Sequence, residues 1–575
     1  MCIALVAAPV AWATNQITLR VDPRMAEVKQ KITLTATVTT DGQSATGGTV
    51  TFLDGKTSLG SIQVVGTHPA QGHHTGTALL TTILAPGDHS LVATYGGTAQ
   101  SPDAVKSKHV SVTVTGTTGS STTLSATPNP QHPQNYDFTA SVTGLGLLVP
   151  SGSVGVQDTT AHVNLGDATL DPLSVVHGFG KPAVVSASGQ PSQAAIADLN
   201  GDGFADVATA NAGFSQSSMG VFIGNGDGTF QPPVIYDTDE GFTSGILIAD
   251  FNQDGIPDVA AMSQGDGTDG PVRIFLGNGD GTFQSPIVNN LGVFPVAIVA
   301  GDFDRDGILD IASIDYFANN AYISFGNGDG TFKAVVPYAV GGAPYSIALA
   351  DFNDDNIADL AVVNDNDSTV SVLLGNGDGT FQTQKVFPTG FQVEFVATGD
   401  LNGDGKQDII VANYADATVG VLLGNGDGTF QPQVPYVVSG NASGLAIVDL
   451  DGDGSLDIAV SCNVPARVDV LYNHGDGTFG AAQIFKVNSA TSYELSAGDL
   501  NGDGAPDIIS EDLTSSLSVL TNGTIATATL TDIAVPGSST DTEKVAATYT
   551  GDSRYGPSRS RPIRVAGSGT GPIPR

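Results

Sequence analysis

Asp198-Leu-Asn-Gly-Asp-Gly-Phe-Ala-Asp206 is the first of seven copies of one acidic nonapeptide, D-x-[ND]-x-D-[GN]-x-x-D. The others begin at Asp250, Asp302, Asp351, Asp400, Asp449 and Asp499, at steps of 49 to 52 residues. A fixed period of that length marks a repeat architecture and outranks any local reading. An apolar strand (Ala194-Ala-Ile-Ala197) enters each loop and a second, as in Asp206-Val-Ala-Thr-Ala210, leaves it. A third (Gly220-Val-Phe-Ile-Gly224) leads to the turn Gly224-Asn-Gly-Asp-Gly-Thr-Phe230, and a fourth follows at Pro232–Tyr236. Four short strands per repeat predict a propeller blade, and seven repeats predict seven blades over 175–521.

The turn recurs at Gly277–Phe283, Gly326–Phe332, Gly375–Phe381, Gly424–Phe430 and, altered, Asn473–Phe479. Its glycines supply the positive φ of a tight hairpin, so its Asp residues are given a structural role. The seventh repeat lacks this turn and a fourth strand, because Leu520 runs straight into Thr521-Asn-Gly523. An orphan strand ahead of the first loop, Gly178-Phe-Gly-Lys-Pro-Ala-Val-Val185, resembles the missing piece. It is expected to complete the last blade, which removes an exposed sheet edge.

Outside the repeats the chain also reads as all-β. Residues 14–116 carry landmarks of an immunoglobulin-like sandwich: Leu34-Thr-Ala-Thr-Val38, Gly48-Thr-Val-Thr-Phe52, Gly76-Thr-Ala-Leu-Leu80 and Val92-Ala-Thr-Tyr95. The same landmarks recur in two halves, Phe138-Thr-Ala-Ser-Val142 before the repeats and Ala547-Thr-Tyr549 after them. The expected architecture is therefore a seven-bladed propeller inserted into a second Ig-like domain (120–174 plus 522–567), preceded by the first. Met1 to Ala13 is apolar and ends Ala11-Trp12-Ala13, so a secretory signal is expected there, and 568–575 is expected to be a loose tail.

A formal charge of −37 excludes nucleic acid as a partner, since phosphates need a basic stripe. The nonapeptides hold 24 of the 58 acidic residues, so much of that charge is local. Positions 1, 3, 5 and 9 present side-chain oxygens and position 7 a carbonyl, while position 6 allows the sharp reversal around one ion. Hard oxygens at this count suit Ca²⁺, whereas Zn²⁺ would want Cys or His. The candidate ligands are Asp198, Asn200, Asp202, Phe204 and Asp206; Asp250, Asn252, Asp254, Ile256 and Asp258; Asp302, Asp304, Asp306, Ile308 and Asp310. They continue as Asp351, Asn353, Asp355, Ile357 and Asp359; Asp400, Asn402, Asp404, Lys406 and Asp408; Asp449, Asp451, Asp453, Ser455 and Asp457; and Asp499, Asn501, Asp503, Ala505 and Asp507. An EF-hand is rejected, because no Glu follows at position 12 and strands flank the loop. Up to seven Ca²⁺, mainly structural, are expected.

The nonapeptides together with the GNGDGTF turns resemble the FG-GAP/VCBS repeats, which form the seven-bladed head of integrin α chains, and the flanking landmarks resemble bacterial Ig-like domains. The resemblance implies Ca²⁺ in the first hairpin of each blade, on one face of a disc. Integrin heads fill only some blades, whereas all seven loops are complete here. The rest of an integrin is missing, so its ligands are not carried over.

On the opposite face, loops that vary between repeats carry Phe214, Phe242, Tyr316, Phe317, Tyr345, Phe391, Tyr414 and Tyr493. Variable loops on a repeated scaffold commonly carry binding, and Tyr316, Tyr345, Tyr414 and Tyr493 are the candidate ligand-binding residues. The expected role is a secreted or cell-surface adhesion module for a glycan or protein ligand, with no transmembrane segment. An extracellular polysaccharide lyase or hydrolase is the alternative. Against it, the repeats contain only His177 and His474, and neither G-x-S-x-G nor H-E-x-x-H occurs.

Overall fold

The computed structural model describes residues 16–568 apart from 23, 28–30, 42–48, 55–56, 71–72, 85–86, 96–104, 116, 118–119, 146–148, 180–181, 188, 213–216, 239–241, 265–269, 293, 488–490, 513–514, 539–541 and 553–554. The expected signal (1–13), nearly all of the tail, Phe214 and the side chain of Phe242 lie outside the described residues. Every regular element among them is a β-strand. No described helix is long and apolar enough to cross a membrane. The chain divides into two compact units, one drawn mainly from residues before Ser120 and one from residues after it.

In the first unit, strands Gln16–Asp22, Lys31–Asp41, His73–Ile83 and Val65–Ala70 form one sheet. Met25–Glu27, Val110–Thr115, Gly87–Tyr95, Thr49–Asp54 and Thr57–Gln63 form another. Alternation decides which residues face inward: Ile32, Leu34, Ala36 and Val38 meet Val50, Phe52, Leu91, Ala93 and Tyr95, all fully buried.

In the second unit, strands from both ends of the sequence share two sheets. Tyr136–Leu145 lies between Ser120–Pro128 and Asn522–Ile533, with Ala140 opposite Ala528. Ser153–Asp158 pairs with Thr542–Tyr549. Asp171–Phe179 completes the first of these sheets, and its last residue, Phe179, is paired with Asn522. The repeats leave and return at that one pair.

Between those points stand seven four-stranded antiparallel sheets. Their innermost strands are Gln190–Ala197, Phe242–Ala249, Pro295–Gly301, Pro344–Ala350, Val393–Gly399, Ala442–Val448 and Leu495–Gly498. The second strands, such as Asp359–Asn364 and Asp408–Asn413, are buried along their whole length, because a neighbouring sheet covers each face. One apolar core fills each gap between consecutive sheets, for example Phe352, Val363 and Val372 against Val396, Ile409 and Val411. The last core joins the seventh sheet to the first: Leu500, Ile509, Leu517 and Val519 pack on Ala194, Val207 and Phe222. Gly228 of the first sheet also donates its N–H to Leu500 O, as Gly379 does to Phe303 O and Gly428 to Phe352 O.

The seventh sheet takes its outermost strand from the front of the array, Ala183–Ser186 against Ser516–Leu520. The orphan segment is not the single strand expected over Gly178–Val185. Gly178 and Phe179 end the preceding strand, and pairing beside Ser516–Leu520 starts only at Ala183. Pro182 intervenes, and without an N–H it cannot continue a ladder.

Candidate functional site

Each acidic loop joins the end of an innermost strand to the start of the second, and position 9 is the first residue of that second strand. In the first loop, Asp198 accepts N–H bonds from Asp202 (3.0 Å) and Gly203 (2.7 Å). Asn200 accepts from Asp202 and Asp202 from Phe204, so three consecutive backbone N–H groups, those of Asp202, Gly203 and Phe204, point at the loop's own side chains. The chain manages this only by entering the left-handed region twice. Position 6 is there throughout (Gly203, Gly255, Gly307, Asn356, Gly405, Gly454 and Gly504), and so is position 4.

Position 4 escaped the sequence reading because it holds Gly, Gln, Arg or Asp. Where it is not glycine, two of the side chains repay the strain by reaching the next loop: Gln253 Nε2 donates to Gly307 O (2.6 Å) and Arg305 Nη2 to Asn356 O (2.7 Å). Position 7, expected to offer a carbonyl, donates its N–H to the position-5 carboxylate in each loop, as Ile308 does to Asp306 (2.8 Å).

Position 9 has a second task. Asp206 accepts the N–H of Leu199 (2.9 Å) and of Gly224 (2.8 Å), tying the loop to the hairpin of the third and fourth strands. The same pair of bonds recurs at Asp258, Asp310, Asp359, Asp408, Asp457 and Asp507. All seven position-9 carboxylates are fully buried. Burial pushes Asp206, Asp310 and Asp359 up to about 6 and Asp457 up to about 7, with like charges adding from positions 1 and 5 at Asp206 and Asp359 and from positions 1 and 3 at Asp310 and Asp457. The oxygens of Asp302, Asp304 and Asp310 lie within 4.8 Å of one another, as do those of Asp449, Asp451 and Asp453. Buried, converging, oxygen-only donors with surplus negative charge fit a hard divalent ion.

Because Asp310 holds two backbone N–H groups, Asp310→Asn is expected to cost about 1–3 kcal/mol even in chelator, one acceptor having become a donor, and more with calcium, where a ligand is lost as well. Thermal melts in the two conditions check this; a variant that melts like the parent in chelator would reduce Asp310 to a metal ligand alone.

The Asp residues of the GNGDGTF turns stand apart from this chemistry. Thr282 donates side-chain and backbone hydrogen bonds to Asp280, which holds that carboxyl below its usual range, and Asp329, Asp378 and Asp476 behave alike.

At the other end of the innermost strands lies a pocket of about 230 Å³. Every sheet contributes to it: Gln193, Ser244, Ile298, Tyr345, Glu394 and Ser443 from the first six, and Tyr493 with Glu494 from the entry to the seventh. Tyr345, expected in a loop, sits in strand Pro344–Ala350, and its hydroxyl lies 2.5 Å from that of Tyr493. Tyr316 packs edge-on against Tyr345, ring centroids 6.3 Å apart, but is not itself among the pocket's lining residues. Tyr414 also lies outside the lining and, unlike Tyr316, has no ring contact with a lining residue among those described; its backbone is held by Gln392 and Asn441. Phe317 and Phe391 are exposed.

Sequence reasoning missed the pocket's carboxylates. Burial, with Asp365 adding, pushes Glu394 up to about 7, and burial beside Glu511 pushes Glu494 well above the ordinary range. Gln193 bridges the seam: its Oε1 accepts from Ile246 N–H (2.7 Å), and its side chain bonds Glu494. A signal was present, since the chain has only six glutamates, and Glu394, Glu494 and Glu511 are half of them.

Among known proteins, the FG-GAP-like repeat model matches at 198–261, 250–313, 302–362, 351–411, 400–460 and 449–510, windows that together include all seven acidic loops. The bacterial Ig-like domain (group 3) model matches residues 19–115. Phosphatidylinositol-glycan-specific phospholipase D of Rattus norvegicus is 33% identical over 22% of this chain and 18% of its own length, so the chain spans under a fifth of that relative. Among solved structures, the periplasmic gluconolactonase of Pseudomonas aeruginosa is similar at 15% identity and a TM-score of 0.38, over 58% of this chain and 95% of that one. A putative 6-phosphogluconolactonase from Bacteroides uniformis gives 14% identity and 0.40, over 59% and 97%.

Proposed function

Because the chain belongs to the FG-GAP-like repeat family, with a bacterial Ig-like domain ahead of its repeats, we propose that it is a secreted or cell-surface protein whose repeats form a closed, calcium-binding, seven-bladed propeller serving as a non-catalytic ligand-binding or adhesion module. The core that packs the seventh sheet on the first supports closure, as does the sharing of Ala183–Ser186 with the seventh sheet. The observation that carries the functional reading is the division of labour along the innermost strands. One end of every strand runs into an acidic loop, and the other end opens on a pocket to which all seven sheets contribute. The loops hold calcium and fix the hairpins; the pocket end, with Tyr316, Tyr345 and Tyr493, receives the ligand. Calcium's contribution is electrostatic, offsetting carboxylates that burial would otherwise leave unbalanced.

The test is incubation of the calcium-loaded protein with a panel of polysaccharides and matrix proteins, scoring both retention and release of new sugar ends. Retention without release is expected. Release would replace this reading with that of a polysaccharide-degrading enzyme, for which a glutamate held up to about 7, as Glu394 is, would suit a general acid.

A further inference from the structure

The pocket's lining carries two carboxylates, two phenols and two side-chain amides, and no lysine, arginine or histidine. Glu394 and Glu494 both act electrostatically on Tyr345 and on Tyr493, so the four groups converge on one space. Behind them the negative charge deepens. Glu511 is fully buried, its Oε2 has no partner among the described residues, and it lies close enough to Glu494 to repel it. Asp365 does the same to Glu394. Buried carboxylates without a counter-charge are costly, and a cation is the occupant that relieves them.

A bare metal ion is the poorer fit. Among the described residues the only groups of three or more carboxylates converging within 4.8 Å are in the acidic loops, not here. The remaining walls are apolar, including Ile298, Ile347 and Phe395, and suit hydrocarbon rather than a hydration shell. At about 230 Å³ the space is smaller than the roughly 300–1,000 Å³ of drug-sized sites.

We propose that this pocket is a receptor for a small organic cation, a primary ammonium group on a short alkyl body. The ammonium donates to Glu394 and Glu494, the phenol rings flank it, and the alkyl part lies on the apolar wall. This rests on reading the pocket end as the ligand-binding end.

Butylammonium chloride and its neutral counterpart 1-butanol, titrated calorimetrically into the calcium-loaded full chain, are the probes. Butylammonium is expected to bind at one site per chain and butanol not to bind, a comparison that requires no variant. Glu394→Gln and Glu494→Gln should each weaken butylammonium by roughly tenfold or more. Binding should tighten as pH rises from 6 to 8, because every titratable group lining the pocket (Glu394, Glu494, Tyr345 and Tyr493) or standing behind it (Glu511 and Asp365) is acidic. Equal binding of butanol, no binding of butylammonium, or affinity unmoved by both substitutions would each overturn the proposal. Polymer retention with no butylammonium binding would remove the cation site and leave the adhesion reading; butylammonium binding with nothing retained would do the reverse.

Discussion

Stripping calcium with a chelator at neutral pH is expected to lower the melting temperature of the repeats by on the order of 10 °C. At millimolar Ca²⁺ and a Kd near 0.1 mM, each occupied loop adds about 1.4 kcal/mol, so seven add roughly 10 kcal/mol. Little in the chain can replace the ion. Lys406, half-buried, reaches Asp404 at 3.6 Å, and Arg305 spends its guanidinium on a backbone carbonyl, Asn356 O, rather than on a loop carboxylate. Protons can substitute in part, and the sign follows from the position-9 carboxyls. Their unfolded value is 3.8, while folded Asp206, Asp310 and Asp359 sit at about 6 and Asp457 at about 7. Without calcium the folded chain therefore holds protons that the unfolded chain has released, and stability falls as pH rises from about 4 to about 7. The chelator's effect should be smaller at pH 5 than at pH 8. A melt unchanged by chelator at pH 8 would end the metal assignment.

Replacing Glu511 with Gln should stabilise the protein above pH 8 and leave it unchanged near pH 5. The carboxyl is fully buried; its Oε1 accepts from Ser496 Oγ at 3.2 Å, and burial pushes it up to about 8 from 4.5. Its contribution to stability is intact below 4.5 and is lost as pH climbs through about 8, at about 1.4 kcal/mol for each pH unit in that window. Gln keeps the acceptor for Ser496 and cannot ionise. Melts of both proteins in saturating calcium, which holds the loops constant, give the comparison. A Glu511→Gln offset of the same size at pH 5 and pH 8.5 would show that packing, not charge, governs the site.

The contrast between loops and pocket explains what was legible in the sequence. Each loop is written in nine adjacent residues, and Asp at positions 1, 5 and 9 is demanded by backbone N–H groups that only those side chains can reach. Seven repetitions made that demand visible. Position 4 stayed hidden because its left-handed backbone is met by unlike residues, in two cases through a bond to the neighbouring loop. The pocket has no local signature at all, since its residues lie about fifty positions apart and meet only when the sheets assemble. Aromatic residues in variable segments led to Tyr345 and Tyr493, but the same rule named Tyr316, which only packs against Tyr345 from outside the lining, and Tyr414, which lies elsewhere. The octapeptide at Gly178–Val185 is like a fourth strand in sequence, but Pro182 has no N–H for a ladder and pairing begins only at Ala183.

The pairing of Phe179 with Asn522 also sets an order of events during synthesis. In the first Ig-like unit the corresponding strands, Val65–Ala70 and His73–Ile83, are separated by residues 71–72 alone, so the partner emerges almost at once. In the second unit Tyr136–Leu145 must wait for Asn522–Ile533 until residues 180–521 have been made. At about 5–20 residues per second that is a delay of roughly 20 to 70 s. Through that interval one half-domain stands with an unpaired edge while its guest takes shape, and the chain's exposure to aggregation is greatest then rather than in the finished protein.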